Sequence, residues 1–419
     1  MNAPSLSQLA ARLAEHYVAP PRAAVLDLIV SDDAQASRRF VLGPSIDMSA
    51  LPEDGGKSAA AARITVSAAM LAAILSDPTG FDIRSAASLA LGGVRIEGAP
   101  QLAAYWLQLL KRPSQEGRAA LARARERAPQ WLDAVPALDA RHGHDRSLAR
   151  LIASVLDSSI PLHLRRVLRW PETAWTLADW RQREASTVLR TNPANGRPQC
   201  IGEFIDALDS PASHAVTDSP YTEGCLLPAG WEARFTMPVL PASMFGAAQL
   251  WFGRRRDHAL VTRLHCDLAN SFLAQVHGRK RVRLYSPSQD EAVYALDAFN
   301  TYRPCRVDAA APDLARFPLF AGARGVDVTL EPGDLLVIPT GWFHCVWALD
   351  HVLSISRFVS DAHAAALASH AHNAGFHQAN PGKLADVSIV HPNDVKGLTR
   401  FGAAIQQGGP PSGGDGVLE

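Results

Sequence analysis

Hydrophobic positions in this chain change period several times, and each change predicts an element. Leu6, Leu9, Leu13 and Tyr17 recur at helical spacing behind Ser5, which predicts a helix over 5–17. Residues 24–30 (Ala-Val-Leu-Asp-Leu-Ile-Val) and 38–42 (Arg-Arg-Phe-Val-Leu) are rich in branched or aromatic side chains and predict strands. A Gly/Ala-rich break runs from Glu53 to Ala62, and residues 63–66 predict the next strand. Ser67 is placed to cap a helix reaching Leu75. Residues 88–97 are strand-like around Gly92 and Gly93, after which Leu102, Tyr105, Trp106 and Leu109 form one helical stripe.

From 113 to 157 the pattern turns charged and alanine-rich. The run from Arg118 to Arg127 reads as a solvated linker helix rather than a docking face. Strand signals dominate from Ile160 onwards, interrupted by helix starts at Trp175–Trp180 and Ile201–Leu208. Residues 272–277 and 280–285 read as two adjacent strands joined by a turn at Gly278. Residues 286–324 are long and irregular, which suits either a substrate rim or a structural loop. A Pro332-Gly333 turn then launches a strand through Ile338. Beyond Ser360 the residues from Ala364 to His372 are helical in pattern. His363, His370 and His377 recur every seven residues, as on an exposed or oligomeric face, and 408–419 has the composition of a disordered tail. The expected organisation is an α+β domain over 1–112, a helical linker over 113–157, a main domain over 158–360, a helical segment over 361–407 and the tail.

Composition narrows the functional classes. Of 419 residues, 47% are hydrophobic, enough for substantial cores. Lys plus Arg and Asp plus Glu number 41 each, so no nucleic-acid partner or anionic membrane surface is expected. The five cysteines are scattered without a paired motif, as in a reducing compartment. No apolar run approaches the ~18 residues of a membrane span, and the N-terminal residues lack signal-peptide features. A cytoplasmic location is expected.

The candidate chemistry lies in His265-Cys266-Asp267. Alternate side chains of a strand share a face, so His265 and Asp267 converge. Two imidazoles and one carboxylate with positions left open suit a non-haem Fe(II), and His344, near the end of a second strand-like run, is the third candidate ligand. The competing reading makes both histidines hydrogen-bonded core residues and Asp267 a turn residue. Against it stands Lys280, at the start of a strand expected beside the ligand strand, where its ammonium would be costly to bury unless an anion meets it. His142 and His144 lie in a polar Gly-containing loop without partner ligands and are set aside.

His265-x-Asp267, Lys280 fifteen residues on, and His344 after Glu331-Pro332-Gly333-Asp334 and Ile338-Pro339 resemble the cupin-like JmjC oxygenases over residues 158 to 360. Among these the pattern is similar to the asparaginyl hydroxylase that acts on the hypoxia-inducible factor. The resemblance implies a double-stranded β-helix, or jelly roll. It implies Fe(II) on His265, Asp267 and His344, with Thr262 and Lys280 holding the far carboxylate of 2-oxoglutarate, and O2 as the oxidant. Ser271 stands where an asparagine is found near the co-substrate, and Arg357 stands before Phe358 where another asparagine is usual. On a closing strand Arg357 is a candidate second clamp on that carboxylate, a reader of an acidic substrate, or a structural partner of an acid. The implied activity is hydroxylation of an unactivated C–H bond on a protein or peptide side chain. The alternatives are a free amino acid or lipid-like metabolite as substrate, or a non-catalytic cupin scaffold. Related hydroxylases dimerise through C-terminal helices, which implies a homodimer here. Residues 20 to 112 resemble sterol-carrier-protein-like modules, in which an apolar tunnel lies under a sheet; Met70, Leu71, Trp106 and Leu109 would either line it or fill a solid core.

Overall fold

The computed structural model describes residues 6–359 except 16, 18–23, 44, 53–59, 79–90, 92, 99–102, 104–105, 108, 141–144, 192–197, 210–220, 223–224, 239, 247, 254–259 and 298–301. The C-terminal helical segment, its histidine heptad, the tail and His142 and His144 therefore lie outside the described residues.

The N-terminal unit begins with helix α1 (Leu6–Glu15) and strand β1 (Ala24–Val30). It continues through β2 (Arg38–Leu42), β3 (Ile46–Ala50), β4 (Ala62–Val66), α2 (Ala68–Ser76) and β5 (Arg95–Gly98). The sheet order is β3-β2-β1-β4-β5, with β1 parallel to β4 and the other pairs antiparallel. Ser67 caps α2 as the sequence suggests, its Oγ accepting from Met70 N at 3.0 Å. The apolar faces of both helices and the sheet meet in one cluster that buries Leu9, Leu28, Phe40, Ile64, Met70, Leu71, Trp106 and Leu109. Asp27 is buried mid-strand and tolerated because Arg39, directly across from it, reaches both carboxylate oxygens at 2.8 and 2.9 Å. Strand β3 was not expected. It is short and mostly exposed, although Ile46 and Met48 alternate with Asp47 and Ser49 and rest on the core.

The segment 113–157 is not a linker. Helix α3 (Gln115–Arg127) buries Gly117, Ala120, Leu121 and Ala124, and its arginines Arg118 and Arg125 pair with Asp297 and Asp290 of the main domain. Its charge run hides a short apolar stripe of small residues, which is why it reads as solvated in sequence. Strand β6 (Ala137–Asp139) joins the main domain's sheet, and α4 (Asp145–Asp157) packs into that domain's core.

The main domain continues with β7 (Leu162–Arg165), α5 (Leu177–Arg183), β8 (Val188–Thr191), β9 (Pro198–Cys200), α6 (Ile201–Asp209), β10 (Cys225–Leu226) and α7 (Trp231–Arg234). Then come β11 (Gln249–Gly253), β12 (Leu260–Asp267), β13 (Asn270–His277), β14 (Lys280–Tyr285) and β15 (Tyr302–Pro304). The last strands are β16 (Gly325–Leu330), β17 (Leu335–Ile338), β18 (Phe343–Ala348) and β19 (Val352–Val359). Strands β8 and β9 pair with each other, and the other strands form two larger sheets, ordered β10-β11-β19-β13-β17-β7-β6 and β15-β12-β18-β14-β16. They face each other across a core holding Leu273, Leu336 and Ile338 of the first sheet and Val282, Leu284, Val328 and Val346 of the second. The first sheet's outer face packs on the helices. The second's packs under the 293–320 loop, most of which is irregular as expected, although β15 lies in the 286–324 stretch.

Strands β13 and β14 are not hairpin partners. After His277 the chain crosses from one sheet to the other, and β14 pairs with β18 and β16. The crossing is held by Gln275, whose amide donates to the His277 and Gly278 carbonyls at 2.7 and 2.8 Å. Gly278 has φ +64, and a Cβ there would sit 1.9 Å from the His351 carbonyl oxygen. Backbone cannot yield to that cheaply. Gly278→Ala should therefore cost more than the ~1–2 kcal/mol of a left-handed residue alone, seen as a thermal midpoint several degrees below wild type; an unchanged midpoint would show that the crossing has slack.

Candidate metal centre

Strands β12 and β18 run antiparallel and set His265 directly opposite His344. Asp267 follows on the same face of β12, with Tyr302 of β15 across from it. The His265 and His344 rings lie 4.3 Å apart, and the Asp267 carboxylate approaches their Nε2 atoms at 3.6 and 3.7 Å. Those separations are too long for hydrogen bonds. They suit atoms sharing a cation at roughly 2.1 Å each. One ligand atom from each residue lies within 4.8 Å of the others, the one such group among the described residues.

Backbone carbonyls fix the ring tautomers. His265 Nδ1 donates to the Arg263 carbonyl at 2.7 Å, and His344 Nδ1 donates to the Trp342 carbonyl at 3.1 Å. A carbonyl only accepts, so each Nδ1 carries the proton and each Nε2 presents its lone pair toward Asp267. Two lone pairs and a carboxylate facing one another repel unless a cation joins them. Burial and the neighbouring His265 push His344 down to about 4. Burial also disfavours the charged form of His265, but the Asp267 carboxylate outweighs it and holds His265 above its ordinary value. Hydrogen-bonded core histidines would not leave both Nε2 atoms aimed at one carboxylate beyond bonding distance. The donor set fits a divalent metal.

Lys280 is on the same inner face, two rungs along β14 from Leu284, which pairs with His344. Its strand neighbours β18 rather than β12, one strand farther than the sequence suggests. The side chain is 1% exposed, pairs with no carboxylate among the described residues, and is driven down to about 7 by burial alone. Its ammonium lies 5.6 Å from the Tyr221 ring centre and 6.0 Å from that of Trp251. Thr262 is opposite Val346, brought to the interior by register shifts in β12 on both sides of it. Ser271 pairs with Ile338 and also faces inward. The side chains of Lys280, Thr262, Ser271, Gln249 and Ser356 are buried and make no hydrogen bond or ion pair with another described residue. Buried polar groups rarely stay so; a small polar anion on this floor would satisfy them.

Arg357 is not part of the pocket. It pairs with Phe272, whose side chain packs against the helices, and so points out of the barrel. There it bonds the Glu232 carboxylate and donates to the Phe235 carbonyl at 3.4 Å. Of the three roles considered, the structural partner of an acid is the one found. Strand parity decides it: Arg357 falls between inward-facing Ser356 and Phe358. Sequence reasoning missed Tyr221, Trp251, Gln249 and Tyr302. For Gln249 and Trp251 the alternation against Leu250 and Phe252 was the available signal.

In comparison with known proteins, residues 183–363 match the Cupin-like domain model. The chain is 39% identical over 106 residues to the lysine-specific demethylase 8 of Xenopus tropicalis, covering 25% of this chain and 23% of the relative. It is 43% identical over 95 residues to the tRNA wybutosine-synthesizing protein 5 of Danio rerio, covering 22% and 28%. It is 34% identical over 106 residues to JmjC domain-containing protein D of Dictyostelium discoideum, covering 25% and 23%. The chain thus matches about a quarter of the length of these relatives. No helix among the described residues is long and apolar enough to cross a membrane.

Titration with Co(II) or Fe(II) should show about one ion per chain, and Asp267→Ala should lose it while circular dichroism stays unchanged. Full metal retention by Asp267→Ala would remove the assignment. Both imidazoles must be neutral to bind, so affinity should fall as pH drops through the raised His265 value, by about tenfold per unit for the one proton displaced.

Proposed function

We propose that this chain is an Fe(II)- and 2-oxoglutarate-dependent oxygenase that hydroxylates an unactivated C–H bond on a protein or peptide side chain. One observation carries the reading: two Nε2 lone pairs and a carboxylate converge beside a buried lysine that has no carboxylate partner among the described residues. His265, Asp267 and His344 would hold the metal, and Lys280 with Thr262 the far carboxylate of 2-oxoglutarate, Ser271 lying on the same floor. When bound, Fe(II) and 2-oxoglutarate let O2 insert one oxygen into the C–H bond, with succinate and CO2 leaving. The chain's own part is to fix both imidazole tautomers through the Arg263 and Trp342 carbonyls. It also excludes bulk water with the apolar walls around Lys280.

A second substrate class has support of its own, because several relatives are named for tRNA wybutosine synthesis. That tempers the expectation of no nucleic-acid partner. The even balance of charges still favours a protein side chain over RNA. Relatives named for lysine demethylation and tRNA modification support the JmjC oxygenase class more broadly than a specific asparaginyl hydroxylase. The N-terminal domain, with its resemblance to sterol-carrier modules, is read as a substrate-positioning unit.

Succinate formation from 2-oxoglutarate with Fe(II), followed by mass spectrometry of lysate peptides and RNA nucleosides for the gain of one oxygen atom, tests the reading. No 2-oxoglutarate consumption by the metal-loaded chain would sink it.

Lys280→Ala should raise the Michaelis constant for 2-oxoglutarate by roughly ten- to a hundredfold, from the ~1.5–3 kcal/mol of a charge-assisted bond. Arg357→Ala should leave that constant unchanged. Lys280 titrates at about 7 in the free chain, and a bound carboxylate raises that value. Binding above neutrality must then take up a proton, so affinity should fall as pH rises past 7. Calorimetry in two buffers of different ionisation enthalpy would detect the uptake.

A further inference from the structure

Tyr302 touches the metal centre from one side and the seam between the domains from the other. On β15 it pairs with Asp267, and its ring meets the His265 ring edge-on, 5.5 Å between centres and 88° between planes. It is 4% exposed, yet it belongs to neither core of the barrel. With Leu296 it completes the cluster that forms the N-terminal domain's own core, together with Leu107 and Leu110. The edge strand of the ligand-bearing sheet is thus covered by the other domain.

The covering domain is firmly joined. Residues 109–113, the junction itself, are buried. Arg112 binds the Leu109 and Lys111 carbonyls at 2.7 and 2.8 Å and reaches the Arg12 carbonyl of α1 at 3.3 Å. Helix α3 follows directly. A Cβ on Gly117 would lie 3.6 Å from Leu268, next after Asp267, while Leu121 and Ala124 abut Gly341, three residues before His344. The Arg118–Asp297 and Arg125–Asp290 pairs tie the same helix to the segment that leads into β15.

We propose that Tyr302 is a positioning residue for the metal centre, coupling the packing of the N-terminal domain to the orientation of the His265 ring. The proposal rests on the metal-centre reading above. A perpendicular aromatic ring packed on the His265 ring restricts its rotation about χ2 beyond what the Nδ1 bond to Arg263 does alone. Because Tyr302 is held by the domain seam, loosening the seam loosens the ligand.

The test uses the full chain with Co(II) as probe, read by affinity and by the visible ligand-field spectrum. Tyr302→Phe keeps the ring edge and should bind as wild type. Tyr302→Leu fills the seam but has no ring edge, and should bind about tenfold more weakly with an altered spectrum. Leu296→Ala, which opens the seam without touching a ligand, should shift both readings the same way by less. Combined with Tyr302→Leu it should add nothing further. If Tyr302→Leu binds with wild-type affinity and spectrum, or if the two effects add in full, the coupling is wrong. A wild-type chain that binds no Co(II) would instead overturn the metal-centre reading itself.

Discussion

The site depends on the antiparallel pairing of β12 with β18, which sets His265 across from His344. Regular pairing would give that much. It would also leave Thr262, three residues before His265, on the opposite face, because side chains alternate. The register shifts on both sides of Thr262 break the alternation and return it to the interior. The strand therefore supplies two candidate ligands and a candidate co-substrate contact from one face. His344 and Val346 on β18 then align with Leu284 and Val282 on β14, and Lys280 closes the same row.

Face, more than residue type, separates the two buried cations of the main domain that invited a functional reading. Lys280 and Arg357 are both almost fully buried. Lys280 faces the gap between the sheets and meets aromatic rings there. Arg357 faces the helices and meets Glu232, an acid that is itself half exposed, so its charge is answered locally. A buried cation without a counter-charge is expensive. Of these two, Lys280 is the one without a counter-charge among the described residues, and a site that binds an anion is one reason for a fold to retain it.

The metal strands are supported from outside the barrel as well. Gly341, with φ +83, lets the turn before β18 pass beneath Leu121 and Ala124 of α3. Its N–H donates to the Asp267 carbonyl at 3.0 Å, linking the ends of the two ligand strands directly. Asp334 does similar work on the other sheet. It accepts from the Arg166 and Glu331 N–H groups at 2.9 and 3.0 Å and pairs with His163 at 2.8 Å, which holds the turn that starts β17. The candidate ligands are thus braced by packing and hydrogen bonds on both sides, the kind of support a metal site of fixed geometry needs.

The sequence by itself determined most local elements and the candidate ligand set. Runs rich in branched and aromatic side chains placed β1, β2 and β4, Ser67 marked the start of α2, and His265-x-Asp267 put two candidate ligands on one face because side chains alternate along a strand. What it could not determine was which strands meet. The turn at Gly278 reads as a hairpin, yet the chain there changes sheets, since the contact that decides it is with His351, far along the sequence. The same limit explains Arg357, whose partner Glu232 lies on a separate helix, and α3, whose charged surface conceals the side that braces Gly341. It explains Tyr302 too, a residue in an irregular stretch that becomes significant only when another domain packs behind it. Local sequence specifies backbone preference and the side of a strand; long-range packing decides what that side encounters.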